Sequence, residues 1–283
     1  MKSFDALNSS PKTINVCGKL IDLSVPAVMG IVNVTPDSFF EGSRFTTEHG
    51  ILTQTEKMLS AGAAFIDVGG YSSRPGAEDI SAEEELSRVV HAVQAIIHQF
   101  PAAIISVDTF RAEVAKQAVQ EGASIINDIS AGELDSNMFD TVAKLHVPYM
   151  IMHMRGTPQT MKSLAQYDNL LRELMDYFIE KINRLTTLGV KDIIIDPGFG
   201  FAKTIDQNFE LLANLDYLKI LDKPILAGLS RKSMIWKTLG ISAEDSLNGT
   251  TALNMAALLK GASILRVHDV KQAIEAITLY RKL

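Results

Sequence analysis

The chain has one cysteine, Cys17, in 283 residues. No internal disulfide is possible, which fits a reducing compartment. It lacks any uninterrupted apolar run near the ~20 residues that cross a bilayer as a helix. Its opening, MKSFDALNSSPKT, has no apolar core of the kind found in signal peptides. Excess positive charge is missing as well. The 27 Lys and Arg stand against 33 Asp and Glu, a net charge of -6. Nucleic acid and membrane surfaces are therefore not expected partners, and an anion site would have to be a local basic cluster. There is no Gly-x-x-x-x-Gly-Lys-Ser/Thr nucleotide loop and no His/Cys/Asp spacing of a closed zinc site. No Pro/Gly/Ser-rich linker divides the chain. What remains is a globular composition, 47% hydrophobic and 21% charged. These absences predict a cytoplasmic protein.

Short apolar runs alternate with longer amphipathic ones. Eight runs read as strands: Ala27–Val32, Phe65–Val68, Ile104–Val107, Ser124–Ile126, Tyr149–Met152, Asp192–Ile195, Pro224–Ala227 and Ser263–Val267. They are rich in Ile, Val and Ala and do not alternate with polar residues, as expected of buried parallel strands. Eight is the strand number of a (β/α)8 TIM barrel, an α/β fold. Helical spacing follows Ser81, where Glu84 three residues on suggests a cap. It recurs over Arg111–Gln120, Asn169–Thr187, Asn208–Leu218, Ser246–Lys260 and Val270–Leu283. Three segments share one grammar: Ala61-Gly-Ala-Ala-Phe-Ile, Glu121-Gly-Ala-Ser-Ile-Ile and Lys260-Gly-Ala-Ser-Ile-Leu. Each reads as a helix ended by glycine, with a strand beginning at once. The expected organisation is an N-terminal extension over residues 1–24 and a barrel over 25–283. Within the extension, Thr13–Leu23 is expected to form a hairpin, turning at Gly18-Lys19 and closing the barrel bottom.

Active sites of such barrels lie at the C-terminal strand ends. Here those ends carry Asn33, Asp67, Asp108-Thr109, Asn127-Asp128, His153, Asp196, Ser230-Arg-Lys-Ser233, and Arg266 with His268. Caps of the following helices explain some of these, and that reading is preferred for Asp128, Asp135 and Asp269. It does not explain Arg74, Lys232 or Arg266. Asp108, Asn127 and Asp196 could meet the N–H and C=O edge of one flat heterocycle. Arg74, Arg266 and His268 form a cationic group suited to phosphate oxygens. Ser230–Ser233 opens a helix, where unpaired backbone N–H groups favour an anion. Lys232 suits either a Schiff base or a permanent cation. His153, among Met150, Met152 and Met154, reads as packing, and His91 and His98 as surface.

The motifs also resemble a known family. NVTPDSF at Asn33–Phe39, DVGG-x-S-S-RPG at Asp67–Gly76, SVDT at Ser106–Thr109 and IND at Ile126–Asp128 occur in order. MHM-x-G at Met152–Gly156, DPGFGF at Asp196–Phe201, SRKS at Ser230–Ser233 and RVHDV at Arg266–Val270 follow. Together they resemble bacterial dihydropteroate synthases. The resemblance implies a homodimeric TIM-barrel transferase of folate biosynthesis. It would condense 6-hydroxymethyl-7,8-dihydropterin diphosphate with 4-aminobenzoate. Carried over by motif, Asp108, Asn127, Asp196 and Lys232 would hold the pterin. Arg74, Arg266 and His268 would hold the diphosphate, and Asn33 would bind Mg2+. Ser73, Pro75, Phe39 and Ser233 would line the 4-aminobenzoate pocket, where sulfonamides compete. Lys232, Arg266, His268 and Asp108 are the expected catalytic set. Thr35–Gly42 would be a lid that orders over the diphosphate. Ser73 stands where the family often has threonine, Tyr71 where it often has glutamate, and Glu41 where it often has aspartate. Tyr71 is expected to be peripheral. A pterin-binding methyltransferase domain, a scaffold barrel and a Schiff-base lyase on Lys232 are the competing readings.

Overall fold

The computed structural model describes residues 13–34, 44–72 and 79–283, the side chains of 44–47 excepted. Phe39, Ser73, Arg74 and Pro75, with the expected lid and Glu41, lie outside the described residues. The chain begins with an antiparallel hairpin of β1 (Thr13–Val16) and β2 (Lys19–Asp22). The barrel strands are β3 (Ala27–Asn33), β4 (Phe65–Gly69), β5 (Ile105–Asp108), β6 (Ile125–Asp128), β7 (Tyr149–Met152), β8 (Ile193–Asp196), β9 (Leu226–Ala227) and β10 (Ile264–Val267). Helices alternate with them: α1 (Arg44–Ser60), α2 (Ala82–Gln99), α3 (Ala112–Gln120), α4 (Met138–Leu145), α5 (Leu170–Thr187), α6 (Ile205–Ala213), α7 (Ser233–Leu239), α8 (Leu247–Leu259) and α9 (Val270–Tyr280).

The sheet order is β8-β7-β6-β5-β4-β3-β10-β9, with every pairing parallel. It closes where Ile195 bridges Ile225 and the Ile195 N–H donates to Pro224 O at 3.0 Å. All eight expected strands are present, and the fold is a (β/α)8 barrel.

Side chains of a strand alternate between two faces. Val28, Ile66, Val107, Ile126, Ile151, Ile195 and Leu265 belong to the core shared with the helices. Met29, Phe65, Ile125, Met150, Ile194, Leu226 and Ile264 form a second cluster, inside the barrel, with Ile14, Val16 and Leu23. The hairpin therefore seals the barrel bottom, and each fully buried Ile or Leu there contributes roughly 1.5–3 kcal/mol. Two residues beyond that inner layer come Asp67, Asn127, Met152, Asp196, Gly228 and Arg266. The strands read as continuously apolar because the outer face and the lower inner face are both dry. Polarity is confined to the last inward positions. For the same reason β5, β6 and β8 run on through Asp108, Asp128 and Asp196, which sequence reading had placed after the strands.

Local chemistry explains most boundaries. Ser81 caps α2, accepting from the Glu84 N–H at 3.1 Å. The three glycine junctions share one Schellman pattern. Ala63, Ala123 and Ala262 donate to Met58, Ala118 and Ala257 at 3.0, 2.9 and 2.9 Å, past Gly62, Gly122 and Gly261 at φ 99°, 112° and 96°. Two expectations need correction. The hairpin turns at Cys17-Gly18, both with positive φ (50° and 84°), which matches the twist of the paired strands. Helix α6 starts at Ile205, not Asn208, because Thr204 and Gln207 form a reciprocal capping box. It ends at Ala213 and gives way to a 3-10 turn over Leu215–Leu221.

Candidate active site

At the C-terminal mouth, Arg266 reaches across the barrel from β10. Its Nε donates to Asp67 Oδ2 at 2.6 Å, and its Nη2 donates to Asp108 Oδ2 at 2.6 Å. Asn127 of β6 donates its Nδ2 to the same Asp67 oxygen at 3.1 Å. One guanidinium thus joins two carboxylates and, through Asp67, an amide. Burial opposes the Arg266 charge, but Asp67 and Asp108 outweigh it and hold the group more firmly protonated than usual. Asp108 responds differently. Burial pushes its carboxyl up to about 7, against the pull of Arg266 and with help from Asp67.

Asp196 ends β8 and turns the chain. Its Oδ1 accepts the Gly198 N–H at 2.8 Å. Burial raises its carboxyl, opposed by that bond and by the charges of Lys232 and Arg266. Lys232 lies with Nζ 4.3 Å from the centre of the Phe201 ring. Gly200 makes room for it: φ is +80°, and a Cβ there would stand 3.1 Å from Lys232 Cδ. The turn is stapled by Lys203, a residue sequence reading missed. Its Nζ donates to Gly198 O and Phe201 O, both at 3.1 Å, and lies 3.1 Å from His153 Nδ1. Burial brings the Lys203 ammonium down to about 7, against Asp196. The signal was available, since a lysine beside a glycine-rich turn is the criterion that singled out Lys232. His153 is buried, and burial followed by the charges of Lys203 and Arg155 holds its ring well below the usual histidine range. It packs edge-on to Tyr177 at 4.9 Å.

Nearer the mouth, Asn33 ends β3 beside Gly69, where a Cβ would lie 3.7 Å from Asn33 Oδ1 and 3.6 Å from Asp108 Cβ. His268 follows β10, with Nδ1 3.0 Å from Ser230 Oγ and its backbone N–H donating to that hydroxyl at 3.2 Å. Burial, then Arg266 and Arg231, lowers the imidazole to about 4. Without an anion beside it, the ring is therefore neutral at pH 7. Arg231 is turned away and forks onto Asp269 at 3.0 and 2.9 Å. Asp269 makes no side-chain cap to α9, contrary to expectation, because this ion pair takes both oxygens. Asp128 does not cap a helix either. It binds Ser130, Gly132 and the Tyr149 hydroxyl, bracing the loop after β6. Asp135 does serve a helix start, accepting the Ala112 N–H of α3 at 2.7 Å from a neighbouring loop. Ser233 opens α7, half-buried, and Lys232 precedes it without a side-chain cap.

Residues 29–268 match the family model described as pterin binding enzyme. The dihydropteroate synthase of Escherichia coli K12 is 43% identical over 92% of this chain and 92% of its own. The chain belongs to the dihydropteroate synthase family. Family membership makes it an enzyme, a transferase of folate synthesis. Solved structures agree. A Yersinia pestis dihydropteroate synthase with a sulfonamide drug complex has a TM-score of 0.90 at 39% identity, covering 95% of this chain and 98% of that one. A Xanthomonas albilineans dihydropteroate synthase with 4-aminobenzoic acid has a TM-score of 0.90 at 38% identity, covering 96% and 98%.

Tyr71 links loops at the mouth of this dihydropteroate synthase family barrel. Its hydroxyl accepts from Gln159 Nε2 at 3.0 Å, and its ring stands edge-on to Phe110 at 5.1 Å, with the Arg111 guanidinium 5.5 Å away. It ties the loops after β4, β5 and β7 together. Among the described residues, no helix is long and apolar enough to cross a membrane.

The Asp108 shift has two opposite pH consequences. Its folded value, about 7, lies above the ordinary 3.8. The native state keeps a proton that the unfolded chain releases, so this stability is full at low pH and is lost as pH rises toward 7. Asp128, Asp196 and Glu85 are shifted the same way. Thermal melts between about pH 5 and 8 should show a falling Tm that is shallower in Asp108→Asn. Binding of a donor-bearing ligand should instead strengthen over the same range. Equal slopes in the two proteins would contradict the assignment.

Proposed function

We propose that the chain joins 6-hydroxymethyl-7,8-dihydropterin diphosphate to 4-aminobenzoate, releasing 7,8-dihydropteroate and diphosphate. The observation that carries this reading is the meeting of Asp108, Asn127, Asp196 and Arg266, from four strands, at one mouth. Two carboxylates and an amide suit the donor- and acceptor-rich edge of a pterin, with Lys232 beside it. Arg266, with Arg74 and His268, would face the diphosphate. Ser233, with Ser73, Pro75 and Phe39, would line the 4-aminobenzoate pocket, for which sulfonamides compete. The proposal extends to a homodimer working in the cytoplasm.

The bond that breaks joins the pterin methylene to a diphosphate oxygen, which takes the electron pair. The dihydropterin ring delocalises the positive charge left on the methylene. The 4-aminobenzoate nitrogen then forms the new C–N bond and loses one proton, to the released diphosphate or to water. Donors aimed at the departing anion in a water-poor mouth do most of the work. The neutral amine needs positioning more than deprotonation. Mg2+ fits the donor set: Asn33 offers an amide oxygen beside Gly69 and Asp108, and Mg2+ commonly uses one or two protein oxygens with water and substrate phosphates. Asn33 Oδ1 would be its protein ligand, and the ion would supply charge neutralisation of the diphosphate.

Diphosphate release from the pterin diphosphate with Mg2+ should require 4-aminobenzoate and match dihydropteroate formed. Tight pterin binding without release would overturn the reading. A covalent pterin adduct trapped on the enzyme would overturn the dissociative route, and borohydride trapping on Lys232 would point to a Schiff-base lyase instead.

A further inference from the structure

Of the inward carboxylates Asp67, Asp108 and Asp196, only Asp67 has no ligand in the proposed reaction. It is fully buried in β4, between Ile66 and Val68 of the outer core. Its Oδ2 accepts twice, from Arg266 Nε at 2.6 Å and from Asn127 Nδ2 at 3.1 Å. Those donors come from β10 and β6, on either side of the barrel. An oxygen engaged by a guanidinium has no proton to offer Asn127. The contact therefore admits one orientation of the amide, with Nδ2 toward Asp67 and Oδ1 away from it. The other Asp67 oxygen, Oδ1, is buried with no hydrogen-bond partner among the described residues, as is Ser106 Oγ on the strand position in register with it. A carboxylate kept only for folding would use both oxygens, since an idle buried acceptor costs stability. Such a cost is characteristic of groups kept for a site.

We infer that Asp67 is a positioning residue of the pterin floor: it fixes the Asn127 amide with its oxygen offered to the ligand, and it anchors Arg266 beneath the diphosphate. The inference rests on the proposed pterin reading. Its consequence is selective. Asn127 presents an acceptor, so the ring edge that meets it must present an N–H, and a ring with an acceptor there is refused.

Asp67→Asn is no test, because Arg266 would hold the asparagine oxygen in the same place. Asp67→Ala removes the shared acceptor and with it the single orientation of Asn127. Affinity for 6-hydroxymethyl-7,8-dihydropterin should fall about 10- to 100-fold, the range seen when a residue that orients a ligand-holding group is lost. The KM for the pterin diphosphate should rise while that for 4-aminobenzoate stays. In an Asn127→Ala background the same change should weaken binding less than about twofold, because the two residues act as one unit. Wild-type affinity in Asp67→Ala, or losses that multiply across the two variants, would overturn the inference. If Asp67→Ala does not fold, the wild-type protein carries the test. The Asn127 side-chain amide should give one slowly exchanging pair of NMR signals with and without pterin, and two interconverting pairs would overturn the assignment. The pterin probe carries no diphosphate and does not react. Wild-type binding without diphosphate release therefore sinks the synthase reading alone, while no pterin binding at all sinks both.

Discussion

Arg266→Met should cost both catalysis and stability, each by a large amount. Loss of kcat/KM is expected to be on the order of a thousandfold, about 4 kcal/mol, as when a donor to a developing anion is removed. Stability should fall by about 3–5 kcal/mol, because the guanidinium is the shared partner of Asp67 and Asp108 and its removal leaves buried carboxylates uncompensated. The second loss has a pH signature. Without the cation, the Asp108 carboxyl is driven further toward its neutral form. The native state then binds more protons than the unfolded chain, so the deficit shrinks as pH falls and grows as pH rises. Urea melts at about pH 5.5 and 8 would show it. Arg266→Lys should rescue little, since an ammonium cannot fork between two carboxylates. A pH-independent deficit, or kcat/KM within about tenfold of wild type, would remove Arg266 from its assigned place.

Asp196→Ala should abolish pterin recognition while leaving the barrel folded. One oxygen of Asp196 holds the Gly198 N–H at 2.8 Å. The other stands 3.9 Å from where a Cβ on Gly228 would be, at the open end of the inner wall. A site built to bind a ligand N–H rejects ligands when that partner is lost by about 10⁴-fold at the strong end, and on the order of 10³ is expected here. The lost turn contact is worth only about 1 kcal/mol, and Lys203 still braces Gly198 O and Phe201 O. Affinity for a pterin and thermal stability should therefore separate. Titration calorimetry with a pterin, beside a thermal melt, measures both. Matched losses in the two would make Asp196 a structural residue of the turn.

Much of the site was legible because barrel topology converts sequence position into place. Asp108, Asn127 and Asp196 each follow an apolar run, and the end of such a run in a parallel barrel is the mouth. Arg266 stood out as a charge within an otherwise dry strand. Asp67 looked the same locally, flanked by Ile66 and Val68, yet its task depends on a guanidinium 199 residues away. Nothing near it in the chain marks that partner. Lys203 was legible as a lysine beside a glycine-rich turn, but its bracing role was not, since its three partners converge only when that turn folds back on itself.

The sequence by itself determined the eight strands, the glycine junctions, the capped start of α2 and the order of polar groups along the mouth. All of these follow from local propensity, from continuous apolar runs in the strands and from a period of 3.6 residues in the helices. The tertiary structure decided which charges are real. Burial and Arg266 lower the His268 imidazole to about 4, and burial pushes the Asp108 carboxyl up to about 7 against the same arginine. Arg231 leaves the mouth because Asp269 lies within reach of its fork. Charge state and orientation depend on desolvation and on partners brought from distant strands. Those quantities do not exist until the barrel closes.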